Sequence, residues 1–407
     1  MSKRIIVAGG GASGMCAAIY AARNCPKVTI IEKNTVLGKK LSMTGNGRCN
    51  LTNLDMREEC YNTAARGRMK EWLSTYGVED VISFFKSLGG VVKSEDGYIY
   101  PVSGQASTVV RALENEISRL GIEVVYGQQL KGVSAEDEGV YEVKTDKDSF
   151  TCDAVILAVG SLSGAKSTMS TGDGYYICKK LGMNVKDTYP ALVGFKCDPQ
   201  EQMPKAGVRI TADISFVLGK ETLAREQGEL QLTADGISGI PVMQASRDVI
   251  RFVEEKKPVY AVIDFFPDYD DKDFESLKAD MLKLKDDRTL EEFLQGFSNS
   301  NITEMVLSRM KLSKSMKMKN ISSSMAECIL DNYRALRLKI DESYGYMASQ
   351  VTTGGVSLGD IGSDFAYKKA PGIFCIGELV DVDGRCGGYN LQWAFTSGSI
   401  AGTAASL

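Results

Sequence analysis

The sequence of 407 residues contains no histidine. It therefore lacks the side chain that titrates nearest neutrality and the commonest metal ligand, so neither zinc chemistry nor a histidine-based triad is expected. No metal site is expected. Ten cysteines occur without one C-x-x-C spacing, which points to reduced, mostly buried thiols. No apolar run reaches the roughly 18–20 residues a membrane-spanning helix needs, so no membrane partner is expected. There is no basic excess either: 48 basic and 52 acidic residues leave a net charge of −4. That balance gives no electrostatic reason to expect nucleic acid as a partner. The opening MSKRIIVAGGG starts a strand and lacks the apolar core of a signal peptide, so a cytoplasmic protein is expected. Nothing in the sequence speaks to oligomeric state.

What is present is a βαβ pattern. Residues 3–8 read as a short buried strand, an Ala-rich helix follows the glycines, Pro26 ends it, and residues 27–32 form the next strand. Residues 105–120 place Val109, Leu113, Ile117 and Leu120 on one helical face, with Gly121 as the stop. Strands are expected at 122–127 and 153–160, with a β-meander at 130–152. The character changes near Pro190, turns charged and helical over 270–335, and returns to Gly-rich buried strands at 351–407. The basic run 309–319 alternates Met and Lys and reads as a solvated helix with a buried Met face.

Gly9-x-Gly11-x-x-Gly14 follows a strand and opens a helix. Gly9 allows the tight turn, Gly11 lets backbone approach a pyrophosphate, and Gly14 lets helix and strand pack closely. The helix N-terminus offers free amides to phosphate. Glu32, at the end of the next strand, can accept hydrogen bonds from an adenosine ribose. A second motif, Ala158-Val159-Gly160, follows another buried strand. A third, GIFCIGE, ends in Gly377 and Glu378. This late Gly-acid pair resembles two-dinucleotide-binding flavoproteins, in which the acid binds the ribityl chain of FAD. No second G-x-G-x-x-G exists, so a dedicated NAD(P)H domain is not expected.

Two longer signatures, GKKLSMTGNGRCNLTN (38–53) and TTGGVSLGDI (352–361) with GELVDVDGRCGGYNLQWAFTSGSIAG (377–402), extend the likeness. With EDGYIYPVSGQAS (95–107), they make the chain resemble the BaiN/YhiN family of FAD-dependent oxidoreductases over nearly its whole length. That family includes a proposed 3-dehydro-bile-acid reductase, and most of its members lack an assigned substrate. The resemblance implies an α/β fold: a Rossmann-type FAD-binding domain of the two-dinucleotide-binding kind, interrupted by a β-rich insert with a helical subdomain. The expected boundaries are 1–189 with 350–407 for FAD, 190–269 with 335–349 for the β-rich substrate domain, and 270–334 for the helices. It also implies that Ala12, Ser13 and Gly14 face the pyrophosphate, Glu32 and Lys33 the adenosine, and the backbone of Leu130 the adenine. Lys40, Thr44, Gly45, Arg48 and Asn50 would run along the phosphates and flavin edge. Gly388, Asn390 and Leu391 would sit where a helix N-terminus points at the flavin pyrimidine ring. Relatives often carry His where this chain has Met183 and Ala234, which bears on the substrate loop 228–241 and not on the FAD motifs.

The expected chemistry is hydride transfer from flavin N5 to the β-carbon of an enone, steroid-like or bile-acid-like, with a proton delivered to the α-carbon. NADH or NADPH, bound transiently in the substrate cleft, or another electron carrier would serve as reductant. The insert would close the substrate pocket over the flavin. Tyr389, Asp383 and Arg48 are candidates for catalysis, and Cys49 with Cys386 is a candidate redox pair that no local spacing supports. The alternatives are a flavin oxidase or dehydrogenase on a small molecule, a flavin-binding redox sensor without turnover, and a tRNA-modifying flavoenzyme.

Overall fold

The structure, a computed structural model, describes residues 3–137, 139–164, 168–204, 207–284 and 286–407. The chain divides into two units, Met1–Tyr189 with Gln350–Leu407, and Pro190–Ser349.

The first unit is organised by a six-stranded sheet. Arg4–Ala8 lies inside it, flanked by Lys27–Glu32 and Ala154–Leu157, with Glu123–Tyr126 beyond one neighbour and Ala370–Cys375 beyond the other. These five strands are parallel, with Ile5 opposite both Val28 and Ala154. The short strand Ala366–Tyr367 adds an antiparallel edge. Central strands such as AVIL and IIVA are apolar without alternation because both of their faces are covered. The sheet thus takes strands from both ends of the chain, as the flavoprotein resemblance implies.

Two helices seal one region of this unit. Ala12–Ala22 packs along the C-terminal helix Tyr389–Ser406. A β-carbon on Gly398 would stand 2.6 Å from the Ser13 carbonyl oxygen, and one on Gly402 would strike the Ala17 carbonyl. Only glycine permits backbones this close. A three-stranded antiparallel meander, Leu130–Asp137, Val140–Thr145 and Ser149–Cys152, completes the dinucleotide-binding half.

The second unit is built on a closed antiparallel barrel. Its strands run in the order Phe195–Cys197, Gly236–Gly239, Glu221–Leu232, Val208–Leu218, Val259–Asp264, Leu336–Ser343, and the last pairs with the first. Inward positions such as Ala212, Ile214 and Phe216 alternate with more exposed ones along Val208–Leu218. The helices Asp271–Lys283, Leu290–Leu294, Ser300–Arg309 and Ser323–Asp331 lie between the last two strands in sequence and belong to this same unit. The basic run departs from expectation. Its helix stops at Arg309, Lys311 takes a positive φ of 58°, and of its methionines only Met318 is fully buried.

Candidate active site

The chain leaves its first strand at Gly9, whose φ of 109° suits glycine. The Gly9 amide donates to the Ile31 carbonyl at 2.8 Å, and a side chain there would strike the Ala158 carbonyl. Gly14 is pressed onto the Gly9 carbonyl in the same manner. Gly11 is different: a β-carbon built on it meets nothing within 4 Å. That space lies at the first turn of Ala12–Ala22, where the amides of Ala12, Ser13 and Gly14 have no carbonyl one turn earlier to bond. Free amides beside open space could hold a pyrophosphate.

Glu32 is buried at the end of its strand. Its Oε2 accepts from the Gly10 amide at 2.7 Å, and its Oε1 accepts from the backbone and side-chain amides of Asn34 at 2.8 and 2.7 Å. Oε2 therefore keeps acceptor capacity for one ribose hydroxyl. Lys33 Nζ donates to the Met169 carbonyl at 2.6 Å. Burial lowers its pKa, opposed by the charges of Glu32 and Asp173. The Gln128 amide donates to the Glu32 carbonyl at 3.2 Å, two residues before Leu130 opens the meander.

The third motif meets the first. A β-carbon on Gly377, whose φ is 66°, would lie 2.6 Å from Ser13 Oγ. The Gly377 amide donates to Ser397 Oγ at 3.1 Å and its carbonyl accepts from Trp393 Nε1 at 3.0 Å. Glu378 Oε2 accepts from Lys40 Nζ at 2.5 Å and from Ser161 Oγ at 3.0 Å. Three distant segments, around residues 40, 161 and 378, are joined at this one carboxylate. Gly160, with φ 74°, leaves open space where a side chain would stand.

The 38–53 signature is a tight reversal rather than a regular helix. Thr44 is extended, and Gly45, Asn46, Gly47 and Cys49 all take positive φ. Thr44 Oγ1 donates to the Leu41 carbonyl at 2.7 Å. Arg48 Nη2 donates to Glu95 at 2.5 Å and its guanidinium lies 4.3 Å from the Tyr100 ring centre, yet the side chain stays 46% exposed. Asn50 Oδ1 is buried with no partner among the described residues, which fits a site completed by a ligand.

The closing helix begins at Gly388, with φ 94°. The sequence suggests that a side chain at Gly387 or Gly388 would push a flavin ring away. In the structure the nearest obstacles belong to the protein. A β-carbon on Gly388 would stand 2.7 Å from the Thr52 backbone, and one on Gly387 2.5 Å from the Tyr98 ring. Asn390 likewise serves its own loop: Oδ1 accepts from the Gly384 amide at 2.8 Å and Nδ2 donates to the Gly384 carbonyl at 2.9 Å. Leu391 is half-buried. Tyr389 is buried, its hydroxyl donates to the Asp55 carbonyl at 3.0 Å, and burial with neighbouring Cys60 raises its pKa. Asp383 is buried and Asn62 Nδ2 donates to it at 3.3 Å. Sequence reasoning missed Ser161, Thr52 and Gln392, ordinary polar residues within or beside the quoted signatures whose partners only the fold brings near.

This arrangement defines an FAD-dependent oxidoreductase with a Rossmann-type cofactor domain, and comparison with known proteins bears out that class. The chain belongs to the family described as HI0933-like protein Rossmann domain, which matches residues 3–404. It is 36% identical over 406 residues to a 3-dehydro-bile acid delta(4,6)-reductase of Clostridium scindens, covering 99% of each chain. It is 26% identical over 397 residues to a ribosomal RNA dihydrouridine synthase of Escherichia coli, covering 96% of this chain and 95% of that one. Among solved structures, a 3-ketosteroid-delta4-(5alpha)-dehydrogenase from Rhodococcus jostii RHA1 shares the fold, with a TM-score of 0.54, 15% identity, and coverage of 100% of this chain and 97% of that one. Among the described residues, no helix is long and apolar enough to cross a membrane.

Proposed function

We propose that this protein reduces the carbon–carbon double bond of an α,β-unsaturated ketone on a small, steroid-like molecule. The observation that carries this reading is the 36% identity with an enone reductase across 99% of both chains. FAD, when bound, would supply a hydride to the β-carbon, and NADH or NADPH acting transiently would restore the electrons. The chain's own residues hold the cofactor at three points. The Gly11–Gly14 turn takes the pyrophosphate, Glu32 the adenosine ribose, and Glu378, with Lys40 beside it, the ribityl end.

Arg48 is the candidate for the substrate carbonyl. It is the exposed cation of the 38–53 loop, and a guanidinium stabilises the oxyanion that forms as the β-carbon gains hydride. The α-carbon then takes a proton. Tyr389, with its hydroxyl tied to Asp55 and its pKa raised, retains its proton at neutral pH. Solvent water is the proposed donor.

A second reading is favoured by the match with ribosomal RNA dihydrouridine synthases at 26% identity. Uracil's C5=C6 bond is conjugated to a carbonyl, so the same hydride chemistry would serve an RNA base. One experiment separates the two. The holoenzyme is reduced anaerobically and mixed with a 3-keto-4-ene steroid or with ribosomal RNA lacking dihydrouridine. Rapid return of the oxidised flavin spectrum with the steroid, and a saturated steroid product, is expected. Oxidation only by RNA, with dihydrouridine formed, would replace the first reading with the second. Oxidation by neither would remove both.

A further inference from the structure

The orphaned acceptor at Asn50 carries more than a vague place along the cofactor. Its Oδ1 is buried without a donor and lies 2.9 Å from where a β-carbon of Gly388 would stand. The segment that holds it is tied to the C-terminal helix at two points. Asn53 Nδ2 donates to the Gly387 carbonyl at 3.1 Å, and Thr52 Oγ1 donates to Gln392 Oε1 at 2.6 Å. Gln392 is fully buried. Its Nε2 donates to Thr396 Oγ1 at 3.0 Å and to the Tyr76 carbonyl at 3.2 Å. Thr396 Oγ1 in turn donates to the Tyr76 carbonyl at 2.8 Å, so it must accept from Gln392. That sense of bonding turns the Gln392 oxygen towards Thr52 and makes the Thr52 hydroxyl the donor in the bond between them. That network closes on itself; two residues before Thr52, Asn50 Oδ1 stands outside it, buried and in need of a donor.

The imide edge of a flavin reads carbonyl, N3–H, carbonyl, and N3–H is the one donor on that edge. We infer that Asn50 Oδ1 receives the N3–H of the flavin ring, and that Gln392 is the positioning residue that holds this acceptor in place through Thr52. The inference rests on the FAD reading of the site. It assigns the cofactor's ring end to an amide side chain, in addition to the backbone at the helix start.

The test uses two ligands, FAD and FAD methylated at N3, titrated against apoprotein. The parent protein binds the methylated cofactor about tenfold or more weakly, the cost of one buried acceptor left without its donor. Asn50→Leu binds FAD less tightly and no longer distinguishes the two. Gln392→Leu lowers the ratio of the two affinities, whereas a merely structural role would lower both alike. Equal affinity of the parent protein for both ligands overturns the inference while leaving FAD as the cofactor. That comparison stands even where a variant does not fold. Failure of the parent protein to bind FAD at all would overturn the cofactor reading and this inference with it.

Discussion

Glu32 is a structural residue as well as the proposed ribose ligand. Its carboxylate holds Gly10 and Asn34 through three N–H donors, so it shapes its own loop. Truncation to alanine would strand those donors, at a cost of about 1–3 kcal/mol each if they stay buried. Glu32→Gln keeps the shape and removes the charge. Its amide nitrogen must face the Gly10 amide or those of Asn34, donor to donor, so the variant should have a lower melting temperature and bind FAD about tenfold or more weakly, as thermal unfolding and titration of apoprotein would report. Undiminished affinity would disqualify Glu32 as the ribose ligand. Gly388→Val should behave differently. The left-handed backbone and the Thr52 backbone 2.7 Å from a new β-carbon make it a folding defect of about 2 kcal/mol or more, visible as a lowered melting temperature even without cofactor. A stable Gly388→Val protein would mean that the Thr52 segment yields. Cys49 is fully buried, and burial pushes its thiol up to about 12, so it stays protonated at neutral pH. Cys328 is exposed and Cys386 partly so. A thiol reagent on the native protein should therefore label Cys328 first and spare Cys49, with peptide mapping as the readout. Early labelling of Cys49 would revive it as half of a redox pair with Cys386.

At the scale of elements, the first helix and the last are one device. Ala12–Ala22 carries the free amides proposed for the pyrophosphate, and Tyr389–Ser406 braces it through Gly398 and Gly402. Gly398→Val should separate the two helices, lower the melting temperature and weaken FAD binding together, although residue 398 itself offers no group to a ligand. Loss of stability with unaltered FAD affinity would show that the brace does not reach those amides. Much of this unit was legible beforehand because its signals are local. A buried strand, a glycine turn, a helix and a terminal acid sit within about thirty residues. The roles of Asn390 and Gln392 were not legible, because each depends on a partner that only the folded chain brings near. Asn390 reads as a ligand beside a glycine pair, yet its amide is spent on Gly384. Gln392 reads as an unremarkable helix residue, yet it fixes Thr52. The barrel was legible only as a β-rich stretch. Its closure pairs Phe195 with Ser343, and no local pattern records a pairing across so much intervening sequence.

At the scale of the molecule, the insert should be separable. Its barrel has no free edge among the six strands, and closure removes the unpaired backbone that makes isolated β-units aggregate. A fragment spanning 190–349 is expected to fold alone, to unfold in one cooperative step, and to bind no FAD. Circular dichroism melting and flavin titration would check this. A molten or aggregated fragment would show that the barrel depends on the rest of the chain.

The pairing of Phe195 with Ser343 has a consequence for descent as well as for folding. The insert's two ends sit side by side within its own barrel, so the chain re-emerges close to where it went in. An insertion of that kind acts on its host like a parenthesis in a sentence: what lies inside can lengthen, shorten or be rewritten while the surrounding grammar holds. Closing a longer excursion costs the host only logarithmically more. A lineage built this way can keep its host half and revise the enclosed text.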